Sequence, residues 1–255
     1  MLVDTHVHLH FDAFDADRDE VMERAVRAGV GYFIEVGTDV THSRQALEYA
    51  RRFKNVYATA GIHPHEAGTA SAADLKAIED LLKDPKVVAL GEIGLDFFRD
   101  HSSVESQERV FELLLDIYER SGKPLVIHCR DAFDRLHEML AARKKNYRGV
   151  MHCFSGDAAV MQRFVALGFH ISFAGPLTYK KNDGLREACR TCPKDRLLLE
   201  TDAPYLPPQT MRGKRNESAY MVETAETAAK LHGVDLPELA AMIYRNANQL
   251  FGIKK

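Results

Sequence analysis

The chain has little cysteine: Cys129, Cys153, Cys189 and Cys192 are all there is among 255 residues. So few thiols, so unevenly spread, exclude a disulfide framework. The close pair in "LREACRTCPKD", Cys189 and Cys192, lacks a second pair to complete a zinc site and falls in a helix-like stretch, so it reads as incidental. Long apolar runs are missing too; none approaches the roughly 18 residues of a membrane helix. The amino terminus shows neither a secretion signal nor a transit peptide, and the expectation is a cytoplasmic protein with no membrane association. Excess positive charge is absent as well. Lys and Arg number 34 against 37 Asp and Glu, for a net charge of -3, which excludes whole-surface affinity for nucleic acid and leaves only a local basic site. No repeat, linker or low-complexity tract divides the chain, so one domain over residues 1–255 is the economical reading.

What is present is alternation. Eight β-branched or aliphatic runs, "LVDTHVHL", "YFIEVG", "VYATAG", "VVALGEIG", "PLVIHC", "GVMHCF", "FHISF" and "RLLLETD", are separated by segments of helical period such as Leu75, Ile78, Leu81 and Leu82. Strand and helix repeated in this way predict an α/β fold, a (β/α)8 TIM barrel. An open doubly wound sheet would carry a Gly-rich phosphate turn after its first strand, where this chain has histidines. An extra C-terminal helix, "LPELAAMIYRNANQLFG", closes the barrel with Gly252 as its cap.

Polar residues collect at the carboxyl ends of those runs: His6 and His8, His63 and His65, Glu92, His128, His152, then Glu200 and Asp202. In a barrel these ends converge on one mouth, where active sites of the fold are built. Four of these histidines and two of the carboxylates, gathered there, are costly to bury without partners, and a metal removes that cost. His6, His8, Glu92, His128, His152 and Asp202 are too many for one tetrahedral ion and suit two ions. Strand periodicity puts His6 and His8 on one face, for one ion; His128 and His152 take the other; Glu92, on the strand between, bridges. The same periodicity places Asp4 on the imidazole face, and with Glu200 it is expected to fix ligand imidazoles. His10 reads as a loop or substrate-proximal residue beyond the strand end, and not a ligand. Imidazole with carboxylate suits zinc, manganese, cobalt or iron, and magnesium where a substrate phosphate adds oxygens.

These residues resemble the TatD family of metal-dependent hydrolases, within the wider amidohydrolase barrels. The resemblance is carried by "DTHVHL", "GIHPH", "GEIGLDF", "PLVIHCRDA", "HCFSG", "GPLTYKKN", "ETDAPYLPP" and "RGKRNE", in that order along almost the whole chain. It implies a barrel with two divalent ions and deoxyribonuclease activity, often a magnesium-dependent exonuclease working from the 3′ end. Residue by residue, it implies His6, His8, Glu92, His128, His152 and Asp202 as ligands and His63 as an additional active-site histidine. Relatives that bridge their ions with a carbamylated lysine need that lysine where this chain has Glu92; Lys86 lies at the other end of the segment.

The expected substrate is therefore DNA, single-stranded or at a 3′ end, hydrolysed by water acidified between two divalent ions, Mg, Mn or Zn. Asp202 accepts the attacking water's proton, Glu92 holds both ions, and His63, with His65 as a second candidate, positions the phosphate or protonates the leaving oxygen. Arg212, Lys214 and Arg215 around Gly213, after the eighth strand, are candidate phosphate contacts, as is Arg130. Phe97, Phe98, Phe154 and Tyr205 are able to stack on bases, although most such residues cap the barrel, and Tyr179, Lys180 and Lys181 read as surface. The competing readings are a metal-dependent hydrolase of a small ester, lactone or cyclic amide, and a metal-bound scaffold without turnover. No obligate protein partner is expected.

Overall fold

The structure, a computed structural model, describes residues 1–253. Eight strands, β1 (Leu2–Val7), β2 (Val30–Glu35), β3 (Val56–Ala60), β4 (Val87–Asp96), β5 (Leu125–Arg130), β6 (Gly149–Met151), β7 (His170–Phe173) and β8 (Leu197–Leu199), pair in parallel in sequence order. Each falls within, or within two residues of, one of the eight aliphatic runs. The ends of the sheet meet: Val7 bridges Ala203, His8 N–H donates to Ala203 O at 2.9 Å, and Asp202 N–H donates to His6 O at 2.9 Å. This TIM barrel is closed by the segments that carry His6, His8 and Asp202.

Helices return the chain from each strand end: α1 (Arg18–Arg27), α2 (Val40–Arg52), α3 (Ala72–Leu81), α4 (Val104–Ser121), α5 (Phe133–Ala142), α6 (Ala158–Ala166), α7 (Asp183–Thr191) and α8 (Met221–His232). The expected final helix is α9 (Leu236–Phe251); Asp235 caps its start through Glu238 N–H, and Gly252, at φ 67°, ends it. Ser71 and Asp74 form a capping box on α3. Strands buried on both faces read as near-continuous apolar runs because helices cover one side and the barrel interior the other. Phe33, Phe164, Phe169 and Phe173 are fully buried between those layers, and truncating such a ring to alanine costs about 3–5 kcal/mol. No described helix is long and apolar enough to cross a membrane.

Two local irregularities set the mouth. On β1 the pairing register with β2 shifts between Asp4 and Val7, so strict alternation fails there. Thr5 Oγ1 donates to Leu199 O at 2.9 Å and lies 3.3 Å from Ser172 Oγ on β7. Asp4 turns to the closing segment, accepting from Thr201 N–H at 2.9 Å and Thr201 Oγ1 at 2.6 Å. The expectation that Asp4 fixes an imidazole is thereby corrected: it fastens the β8 end to β1.

On β4, Gly94 has φ +144° and an added Cβ would lie 1.9 Å from His128 O. Only glycine allows the backbones carrying Glu92 and His128 to approach so closely. Gly94→Ala is expected to lose about 2–4 kcal/mol of stability and roughly 5–15 °C in Tm, by thermal unfolding; an unchanged melt would contradict this packing.

Candidate metal centre

The carboxyl ends of β1, β4, β5 and β6, with the segments after β3 and β8, point their polar side chains at one spot. Glu92 lies at its middle. Its Oε2 is 3.3 Å from His6 Nε2, while its Oε1 is 2.8 Å from His152 Nε2, 2.9 Å from His128 Nδ1 and 3.4 Å from His63 Nε2. The imidazoles also crowd one another: His6 Nε2 is 3.2 Å from His8 Nε2, and His128 Nδ1 is 3.2 Å from His152 Nε2. Asp202 Oδ1 completes the cluster, 3.6 Å from His8 Nε2 and 3.7 Å from His6 Nε2. Its own backbone is left-handed, φ 57°, a conformation aspartate tolerates.

Three sets of donors, His6 with His152 and Asp202, His6 with His8 and Glu92, and His63 with Glu92 and His128, each have their atoms within 4.8 Å of one another. A nitrogen facing a nitrogen shares at most one proton, so repeated contacts of this kind leave lone pairs aimed at common points. Burial aggravates this: His6, His8 and Glu92 are almost wholly enclosed. Burial alone would raise the Glu92 carboxyl, yet His152, His63, His6 and His128 hold it well below the usual carboxylate range. Burial alone would depress His152, yet Glu92 and Glu200 hold it well above the usual histidine range. Burial pushes His63 down to about 4, which keeps this imidazole neutral, its Nδ1 accepting from His65 N–H at 3.2 Å and its Nε2 facing Glu92. A buried carboxylate ringed by imidazole nitrogens is the donor set a divalent transition ion takes.

The outer atoms of the rings are held from behind, as metal-binding imidazoles require. His8 Nδ1 donates to Val36 O at 2.8 Å. His152 Nδ1 is 3.2 Å from Glu200 Oε1, which also accepts from Cys153 N–H at 2.7 Å, so Glu200 sits where the strand-end pattern predicts. Asp96 is the residue that pattern missed. Its Oδ2 lies 3.1 Å from His128 Nε2 and 3.0 Å from His65 Nε2, and His128, the Arg99 N–H and His65 hold it below its usual range against the effect of burial. The signal was available: Asp96 lies an even number of places beyond Glu92 within "GEIGLDF", on the same strand.

The remaining predicted residues separate. His65 is bonded to Asp96 and not to Glu92. His10 is tied to β2, its Nδ1 2.5 Å and its N–H 2.8 Å from Glu35 Oε1. The neighbouring Phe11 ring stacks on His8 at 4.5 Å. Arg215 donates to Asp17 at 2.8 Å and to Ala13 O at 2.7 Å, packing its guanidinium 4.5 Å from the Phe14 ring centre; it braces the loop. Arg212 lies over the Tyr179 ring at 4.4 Å and Arg130 over the Phe98 ring at 3.8 Å, while Lys214 is exposed. Cys189 and Cys192 are buried, and burial pushes both thiols up, Cys192 to about 12, so neither offers a thiolate.

Comparison with known proteins agrees with this geometry. The model of the TatD related DNase family matches residues 3–252. The metal-dependent hydrolase YabD of Bacillus subtilis is 38% identical over 254 residues, covering 99% of this chain and all of that one. The 3′-5′ ssDNA/RNA exonuclease TatD of Salmonella typhimurium is 40% identical, covering 99% of each. Among solved structures, the TatD homolog YJJV of Escherichia coli superposes with a TM-score of 0.93 at 32% identity, covering 99% of this chain and 98% of that one. A match running from the first strand to the cap of the last helix, over a barrel whose mouth holds this donor cluster, means that the chain belongs to the TatD family of metal-dependent hydrolases.

Proposed function

We propose that the protein hydrolyses phosphodiester bonds of single-stranded DNA, working from the 3′ end, with two divalent ions held on either side of Glu92. The observation that carries the reading is the division of Glu92: one oxygen faces His6, the other faces His128, His152 and His63. His6, His8 and Asp202 would hold one ion, and His128 and His152 the other, with His63 beside it. When bound, the ions supply a water acidified toward neutral pH and positive charge against the phosphoryl oxygens.

The chain's own residues supply the rest. Asp202 Oδ1, next to the imidazoles of His6 and His8, accepts the proton of the attacking water. Glu200 and Asp96 keep His152 and His128 from turning. Arg130, Arg212 and Lys214, at the rim, meet backbone phosphates, whereas Arg215 positions the loop that carries two of them through Asp17. A small neutral ester, lactone or cyclic amide would have no use for these cations. That the exonuclease relatives are named 3′-5′ ssDNA/RNA exonucleases supports a single-stranded nucleic acid and the 3′ end.

The test is direct. Metal-stripped protein is incubated with end-labelled single-stranded and duplex DNA, with and without Mg, Mn or Zn. The expected result is metal-dependent shortening of the single strand from its 3′ end, with two ions bound per chain by elemental analysis. Failure to shorten any strand with any of these ions would refute the nuclease; a stoichiometry of one would refute the binuclear centre.

A further inference from the structure

Of the chain's 13 Phe and 9 Tyr, only Phe98 and Tyr205 are exposed among the described residues, each to 53%. Isolated exposed aromatics are common, but these two share a placement. Phe98 follows β4 and Tyr205 follows β8, strands four places apart in the eight-strand order, so they stand on opposite rims of the mouth. Each is also fastened to the centre through its own backbone. Phe98 N–H donates at 2.9 Å to Asp96 Oδ1, whose other oxygen holds His128. Tyr205 N–H donates at 2.9 Å to Asp202 O, and Tyr205 O accepts from the buried Asn216 Nδ2 at 2.6 Å.

Charge is arranged to match. The Arg130 guanidinium lies 3.8 Å and that of Arg99 5.3 Å from the Phe98 ring centre. Across the mouth, the Tyr205 ring makes edge contacts with His8 at 6.4 Å and Phe11 at 6.5 Å, and Arg212 rests on Tyr179, whose hydroxyl donates to Pro207 O. At Phe98 an apolar ring beside guanidinium groups presents a stacking surface next to a phosphate contact; on the opposite rim the exposed ring is Tyr205, while the guanidinium of Arg212 rests on Tyr179.

We infer that Phe98 and Tyr205 are paired base-stacking platforms that grip the nucleobases on either side of the scissile phosphate. This rests on the nuclease reading and extends it to what the enzyme recognises. Every base has a π-face, so the grip is indifferent to sequence. It requires unpaired, splayed bases, so it selects single strands. The platforms are rigid with respect to the chemistry because Asp96 and Asp202 each join a platform to the histidine cluster.

The absence of tryptophan provides a clean probe. Phe98→Trp and Tyr205→Trp each place a lone fluorophore on one platform; titrating metal-stripped protein with an oligothymidylate of about ten residues is expected to quench both. Val26→Trp, at the end of α1 leading into β2, is expected to stay unquenched. In the metal-loaded enzyme, Phe98→Leu and Tyr205→Leu are expected to raise KM for oligonucleotide about tenfold each with little change in kcat, and to leave KM for an abasic oligonucleotide equal to that of wild type. Unquenched platform tryptophans, unaltered KM, or a penalty that persists on the abasic strand would overturn the inference. Wild-type enzyme that degrades no oligonucleotide would refute the nuclease reading itself; wild type and leucine variants degrading oligonucleotide alike would remove the platforms only.

Discussion

Glu92→Gln is expected to lose at least about a thousandfold in kcat/KM on single-stranded DNA and to bind fewer ions per chain. The side chain keeps its size, so the change removes charge and one acceptor oxygen. In the native protein both oxygens are committed, at 3.3 Å to His6 on one side and at 2.8 and 2.9 Å to His152 and His128 on the other. An amide offers its NH2 to one of those sets, and an NH2 has no lone pair for a cation. Altering groups that merely orient a ligand costs about 10–100-fold; a carboxylate shared between two ligand sets is expected to cost more. Steady-state kinetics on a 3′-end substrate and elemental analysis of the same preparation check it. Activity within tenfold of wild type would mean that Glu92 is not at the heart of the reaction.

Chelation is expected to lower Tm by roughly 8–16 °C relative to protein saturated with its ion. A ligand that binds only the folded state adds about 4 kcal/mol at a thousandfold excess over its Kd, and a chain of this size shifts about 2–4 °C per kcal/mol. The native cluster gives the ion a preorganised seat. His8, His128 and His152 are held from behind by Val36 O, Asp96 and Glu200, whereas in the unfolded chain the same histidines are spread along the sequence from position 8 to position 152. Residual affinity of unfolded histidines reduces the shift without cancelling it. The comparison is a calorimetric or circular-dichroism melt with chelator and with added Mg, Mn or Zn, repeated on Glu92→Gln, for which a much smaller difference is expected. Identical melts for wild type under both conditions would remove the metal centre.

Much of this site was legible before any coordinate. The eight aliphatic runs became the eight strands, and the polar residues at their carboxyl ends met at the mouth, because barrel closure brings those ends together whatever the intervening helices do. His6, His8, Glu92, His128, His152 and Asp202 could therefore be singled out as candidate ligands from residue type and position, whereas only the structure shows that the glycines of "GEIG" make room for β5. Asp4 was misplaced because periodicity assumes an unbroken pleat, and the pairing register of β1 with β2 shifts between Asp4 and Val7. Arg215 reads in sequence as one of three free cations. Its partner Asp17 lies 198 positions away, a distance no local pattern spans.

The sequence by itself determined the order of elements, the chemistry gathered at one end and the family, since these depend on residue type and spacing along the chain. Tertiary structure alone decided which oxygen of Glu92 faces which imidazole, that Asp96 joins His128 to the Phe98 turn, and that two of the aromatic rings stand open at the rim. Those outcomes depend on strand stagger and on contacts between distant segments, where a shift of one residue turns a side chain from the lumen to the helices.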